Sequence, residues 1–305
     1  MEGGSRKAII AAFFANGGIA VAKFTGFAFT GSASMLAEAV HSVADTSNQG
    51  LLLLGGSRAR KAADEEHPFG YGRERYFWSF VVALVLFTLG SLFALFEGQE
   101  KLRHPHEIES LGWAMGILLL AVCLEAYSLR TAIHESREGV RRAGSWWKFI
   151  RTSKVPELPV VLLEDIGAMI GLVFALGGVL LAHFTENPRW DAVGSIAIGL
   201  LLGFIAIVLV IEMKSLLIGE AASPAQLRAI REAIEAEGSR STLIHMRTQH
   251  LGPDELLVGV KIALKGTFDG PGVADEIDAI EARVRDAVPQ ARVMYIEPDI
   301  ARPSS

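Results

Sequence analysis

A single cysteine, Cys123, stands in the whole chain, so no intrachain disulfide forms and sulfur says nothing of redox compartment. No glycine-rich phosphate loop and no nucleophile–base arrangement is discernible, which argues against an enzyme. The basic loop 135–156 contains no histidine and so shows no metal-collecting tract. A cleavable signal peptide is not expected, because the first apolar segment is long, carries Lys23 and lacks a clear small-residue cleavage site. Charge is scarcest where it matters most, along runs of two dozen residues or so that are almost wholly apolar. With half of its 305 residues hydrophobic and a mean hydropathy of +0.34, the chain is too apolar for an ordinary soluble domain.

What is present is six apolar segments, near 8–30, 34–57, 76–100, 112–134, 157–183 and 191–217. Each is long enough to cross a hydrocarbon core about 30 Å thick. The charges between them alternate. Thirteen Lys and Arg lie before the first segment, in 58–75 and in 135–156, whereas the remaining loops hold only Lys101, Arg103 and Arg189. The positive-inside rule then places both termini in the cytoplasm of a multi-pass integral membrane protein. The loop 135–156, with Arg141-Arg142 and Trp146-Trp147-Lys148, reads as an interfacial segment on an anionic lipid bilayer and not as a nucleic-acid binder.

The second segment is more polar than its setting allows. His41, Asp45 and Asn48 are spaced i, i+4, i+7, on one helical face. A carboxylate at that depth costs about 3 kcal/mol on insertion scales, so the face must meet protein, water or an ion. Two readings fit: half of a divalent-metal site, or a buried pair holding helices together. The fifth segment adds Glu164 and Asp165. Adjacent residues point about 100° apart on a helix, so the two carboxylates cannot face one point equally. One reading leaves Glu164 near an aqueous cavity with only Asp165 buried. Asp191 opens the sixth segment and suits a structural role at a helix N-terminus. Asp64, Glu65, Glu66 and His67 form a loop cluster that either gathers a cation or is simply solvated, the solvated reading being the commoner for loop carboxylates.

Residues 218–305 differ in kind. Ser223-Pro224 opens a helix to about 237. Strands follow over 242–251 and 256–264, then a helix over 269–288 and a strand over 291–297. The order is α-β-β-α-β, a small α+β domain of marginal size for a self-supporting core. His245 and His250 fall on opposite faces of the first strand. Glu297 and Asp299, either side of Pro298, suit a strand end better than a cation site. The expected division is therefore 1–217, six transmembrane helices, and 218–305, a cytoplasmic domain.

The chain resembles the cation diffusion facilitator family of divalent-metal transporters. The likeness rests on His41-Ser42-Val43-Ala44-Asp45, His67-Pro68-Phe69-Gly70-Tyr71-Gly72, Leu163-Glu164-Asp165, Asp191 and Leu217-Ile218-Gly219-Glu220-Ala221. It implies a ferredoxin-like tail domain, a homodimer, and a transport site shared by the second and fifth helices. His41, Asp45 and Asp165 match that site, with Asn48 or Glu164 completing it. The chain departs at Val161, where many zinc members carry histidine, and is similar there to a subgroup with Glu-Asp. The resemblance implies a divalent metal/proton antiporter that exports Zn2+ from the cytoplasm; the oxygen-rich set also suits Mn2+, Fe2+ or Co2+. The metal is cargo and no resident cofactor is implied. A bacterial inner membrane is the expected location. The alternative from another class is a membrane scaffold or sensor that binds metal without moving it.

Overall fold

The computed structural model describes residues 2–105 and 111–300. The expected loop 101–111 therefore falls partly outside the described residues. The chain divides into two compact units, one of 1–57 with 76–214 and the other of 58–75 with 215–305.

The first unit is helical. α1 (Glu2–Thr30) and α2 (Ala33–Arg58) are joined by Gly31, whose φ of 59° lies in the left-handed region that glycine enters without steric cost. α3 (Glu74–Arg103) follows, then α4 (Leu111–Ala143), the short α5 (Trp146–Thr152), α6 (Glu157–Phe184) and α7 (Arg189–Ile218). Among the described residues, four helices are long and apolar enough to cross a membrane: α3, α4, α6 and α7. α2 has the length, at 26 residues, but carries buried Glu38, His41, Asp45, Asn48 and Gln49.

Two features of this unit depart from the hydropathy pattern. α3 contains a π-helical stretch, Leu86–Leu92. There Ser91 Oγ donates to the Gly199 carbonyl on α7 at 2.8 Å, an anchor at the widened turn. α4 runs to Ala143, nine residues past the expected end of the apolar segment. Hydropathy marks where hydrocarbon ends, not where a helix ends. The extra turns carry an i, i+4 pair, Glu138 with Arg142, that supports a helix in polar surroundings. The chain then turns at Gly144, capped by Ser145, whose Oγ accepts from Lys148 N at 3.1 Å. α5 folds back so that Phe149 and Ile150 pack with Ala132 of α4 and Leu162 of α6, while Trp146 and Trp147 stay exposed.

The second unit has α8 (Pro224–Ile234), β1 (Ser241–Gly252), β2 (Glu255–Leu264), α9 (Gly270–Ala287) and β3 (Val293–Asp299). α8 begins with a reciprocal cap: Ser223 Oγ accepts from Gln226 N, and Gln226 Oε1 accepts from Ser223 N. The sheet order is β1-β2-β3, with β1 and β2 antiparallel and β2 and β3 parallel. Alternate β2 residues Leu256, Val258, Val260 and Ile262 face a core closed by Ile230 and Ile234 of α8 and Ile280 and Val284 of α9. β3 starts and ends two residues later than the pattern suggests. Pro298 sits inside it, tolerable because β3 is an edge strand. His245 is exposed and His250 buried, so the two face opposite sides as expected. The loop 58–75 belongs to this unit. A Cβ on Gly72 would lie 2.8 Å from the Leu251 carbonyl oxygen, so only glycine allows that approach. Arg75 pairs with Asp254 at 2.9 Å beside it.

Candidate metal centre

α2 is positioned from its first turn. Asp191, wholly buried at the start of α7, accepts from Ser32 Oγ at 2.7 Å, from Ala33 N at 2.8 Å and from Ser34 Oγ. Lys101 lies 3.9 Å from the same carboxylate and donates to the Gly31 carbonyl at 2.9 Å. One orphan N–H of the α2 N-terminus, that of Ala33, thus finds its partner on another helix. The structural part expected of Asp191 is what the geometry shows.

From that anchor α2 turns a polar stripe inward. Glu38, His41, Ser42, Asp45, Asn48 and Gln49 are all buried. His41 Nδ1 and Asp45 Oδ1 stand 3.5 Å apart. Both His41 ring nitrogens, Asp45 Oδ1 and Asn48 Oδ1 have no hydrogen-bond partner among the described residues. Buried polar atoms are rarely left so, and several on one stripe call for a ligand or water.

α6 supplies the other side. Glu164 is 5% exposed and Asp165 7%, so both are buried and Glu164 is not the solvated member of the pair. They diverge as their angular offset requires. Asn48 Nδ2 donates to Glu164 Oε1 at 2.6 Å, joining α6 to α2. Ser128 Oγ on α4 donates to Asp165 Oδ2 at 3.0 Å. The expected set is thus brought to one interior region but not closed round one point. Among the described residues no three His, Cys, Asp or Glu side chains converge at metal-binding distance. Val161 packs against the apolar cluster of Ala132, Phe149 and Ile150.

A neighbouring group was not anticipated from the sequence. Lys23 on α1 is wholly buried and donates to Glu38 at 3.0 Å and to Ser42 Oγ at 2.8 Å, with Glu125 of α4 at 3.8 Å. Glu38 and Ser42 belong to the same buried α2 stripe as His41 and Asp45, so the cluster adjoins it. α6 closes over Glu38 at Gly171, where a Cβ would collide with the Glu38 carboxylate. The signal was available: Glu125 interrupts an apolar run as Asp45 does, and Lys23 is a lone cation in another.

The loop cluster of Asp64, Glu65, Glu66 and His67 is organised differently. The Asp64 carboxylate accepts from Tyr71 Oη at 2.7 Å, from His67 N at 2.8 Å and from Lys61 Nζ at 3.1 Å. The Tyr71 hydrogen bond, then those from His67 and Lys61, holds its carboxyl below the ordinary carboxylate range. Asp64 therefore clips a turn with a cation the chain supplies itself.

A family model described as "Cation efflux transmembrane domain" matches residues 9–218. Among curated proteins, the chain is 35% identical over 268 residues to the human "Proton-coupled zinc antiporter SLC30A9, mitochondrial", covering 88% of this chain and 46% of that one. It is 30% identical to "Metal tolerance protein C4" of Arabidopsis thaliana, covering 86% and 58%. It is 24% identical to the "Metal cation efflux system protein CzcD" of Cupriavidus metallidurans, covering 65% and 57%. The chain spans about half the length of the curated relatives it matches.

Proposed function

This chain belongs to the cation diffusion facilitator family, and we propose from that premise that it exchanges a divalent metal ion for protons across a membrane. The observation that carries the proposal is the row of atoms on α2 without a hydrogen-bond partner among the described residues, His41 Nδ1 and Nε2, Asp45 Oδ1 and Asn48 Oδ1, together with the Glu164 and Asp165 carboxylates of α6. His41, Asp45 and Asp165 bind the metal, and Asn48 or Glu164 completes the shell. Zinc is the first candidate, supported by the printed name of the human relative; Mn2+, Fe2+ and Co2+ fit the oxygen-rich remainder.

Coupling follows from the donor chemistry. A metal needs neutral imidazole and ionised carboxylates, so metal and protons compete for the same atoms. Metal arriving at one membrane face displaces protons from His41 and the carboxylates. Rocking of the helices exposes the site to the other face, where protons displace the metal. This reading includes six spans, α1 and α2 added to the four strongly apolar helices, with both termini cytoplasmic. It includes division near residue 217, a ferredoxin-like tail domain that supports a homodimer, and a bacterial inner membrane.

The test is metal-driven proton flux in proteoliposomes. Asp45→Ala and Asp165→Ala each abolish both metal uptake and proton counterflow; flux at the parental rate in Asp45→Ala overturns the site. A second reading, metal binding without transport, draws on Val161, which stands where many zinc members of the family carry histidine. It requires stoichiometric binding in detergent with no uptake into vesicles. Competition among Zn2+, Mn2+, Co2+ and Fe2+ in the same vesicles ranks the cargo.

A further inference from the structure

α4 carries a basic face that none of the metal chemistry uses. Arg130, His134 and Arg137 are spaced i, i+4, i+7 and all three are exposed. With Tyr127 and Glu135 of the same helix and Met169 of α6 they line an open groove of about 620 Å3, walled almost wholly by α4. That is within the roughly 300–1,000 Å3 typical of sites for drug-sized ligands. Neither Arg130 nor Arg137 forms an ion pair with another described residue. By contrast Arg142 and Arg151, nearby in sequence, are paired with Glu138 and Glu212. Glu135 is the one carboxylate lining the groove, which leaves it net positive.

The depth of this face identifies its occupant. Trp113, 58% exposed, lies near the start of α4 and stacks on Phe29, a position suited to one membrane interface. From Trp113 to Arg130 is 17 residues, about 26 Å along the helix at 1.5 Å per residue. The hydrocarbon is about 30 Å thick. Arg130 therefore stands where acyl chains give way to head groups, and Arg137 about 10 Å further out, within the head-group layer. Tyr127, 75% exposed, lies about one turn deeper on the same helix. The apolar wall of Ala126, Leu129, Ile133 and Met169 suits an acyl chain.

We propose that this groove along α4 binds one anionic phospholipid, its phosphate held by Arg130 and Arg137 and its acyl chain laid along Met169. The occupant is a lipid and not a free phosphate, because the basic face is continuous with an apolar wall at membrane depth. The site is independent of the proposed transport, so binding and flux fail separately.

The test uses the full chain purified in detergent, titrated with phosphatidylglycerol or phosphatidylcholine and read by native mass spectrometry. One retained phosphatidylglycerol per chain is expected, with phosphatidylcholine bound at least tenfold more weakly. Two basic side chains near an anionic head group are together worth roughly 30-fold in affinity. Arg130→Gln/Arg137→Gln should lose about that factor, Arg130→Lys/Arg137→Lys should keep most of the binding, and Arg228→Gln/Arg231→Gln, exposed on the other unit, should change it less than threefold. Equal thermal melting of the variants without lipid confirms folding. Undiminished binding in the double glutamine variant, equal binding of phosphatidylcholine, or displacement by millimolar inorganic phosphate would each overturn the proposal.

Discussion

Lys23→Met probes the buried charge cluster with no residue of the proposed metal shell altered. In the parent, one ammonium faces two carboxylates, Glu38 at 3.0 Å and Glu125 at 3.8 Å, with Ser42 Oγ as a further acceptor at 2.8 Å. Lys23 and Glu38 are fully buried and the Glu125 side chain is 5% exposed. Methionine keeps the length and apolar stem of lysine and removes the charge. Two carboxylates are then left without their cation. Removing one partner of a buried ion pair costs about 3–5 kcal/mol, two to three and a half decades in the unfolding constant. Replacing all partners by apolar groups of similar volume is often neutral. The triple variant Lys23→Met/Glu38→Met/Glu125→Met should therefore return to within about 1.5 kcal/mol of the parent. Ser42 is not stranded in either case, because its hydroxyl can turn to a backbone carbonyl one helical turn back. Equilibrium unfolding in mixed dodecyl sulfate and detergent micelles, followed by far-ultraviolet circular dichroism, reads both numbers. A loss below about 1 kcal/mol for Lys23→Met, or a triple variant no better than the single one, would show that the cluster is not an ion-paired unit.

Two further outcomes follow from groups away from the cluster. Asp191→Asn keeps one acceptor oxygen where the parent has two engaged and loses the charge facing Lys101; with charged-group hydrogen bonds worth about 1.5–3 kcal/mol each, a loss of about 2 kcal/mol is expected in the same unfolding assay, and an unchanged midpoint would show that the α2 cap is dispensable. The Asp64 carboxyl is held below its ordinary value of 3.8, first by Tyr71, so its contribution to loop order is complete above that value and fades as pH falls through the lowered one. Tyr71→Phe should move the Asp64 titration, read by carbon NMR of the carboxyl, upward towards 3.8; an unmoved titration would discard the hydroxyl as the main cause.

Much of this was legible in the sequence because the bilayer leaves few options. A carboxylate inside an apolar run needs a reason, and the i, i+4, i+7 spacing of His41, Asp45 and Asn48 fixed their common face before any fold was known. The offset of Glu164 from Asp165 foretold that they would part, and they do, one to α2 and one to α4. The tail's element order followed from alternation and turn residues, with strand ends wrong by up to two residues, where pairing partners rather than propensity decide. What stayed illegible was contact between distant positions. Lys23 and Glu125 are single charges on separate segments, and nothing in their spacing says that three helices meet at one ammonium. Asp191 read as a structural charge at the N-terminus of its own helix, whereas its oxygens reach α2. The extension of α4 past His134 was hidden because hydropathy falls before helicity does.

The way the α6 carboxylates are held bears on which atoms reach a metal. Asp165 is bonded by Ser128 through Oδ2, and Glu164 by Asn48 through Oε1, so each carboxylate has one oxygen committed and one uncommitted. The Asn48 amide donates through nitrogen, which leaves its Oδ1, like Asp45 Oδ1, without a hydrogen-bond partner among the described residues. A metal can therefore take Asp165 Oδ1 while Ser128 keeps its bond and fixes the carboxylate's rotation. In that arrangement Ser128 supports the site without touching the metal, and removal of such support typically costs 10- to 100-fold in affinity. Ser128→Ala should weaken Zn2+ binding by about tenfold in calorimetry at fixed pH. If Ser128 instead competed with the metal for Asp165, its removal would tighten binding. Tighter or unchanged affinity would therefore exclude Asp165 as a ligand held in this way and shift the α6 contribution to Glu164.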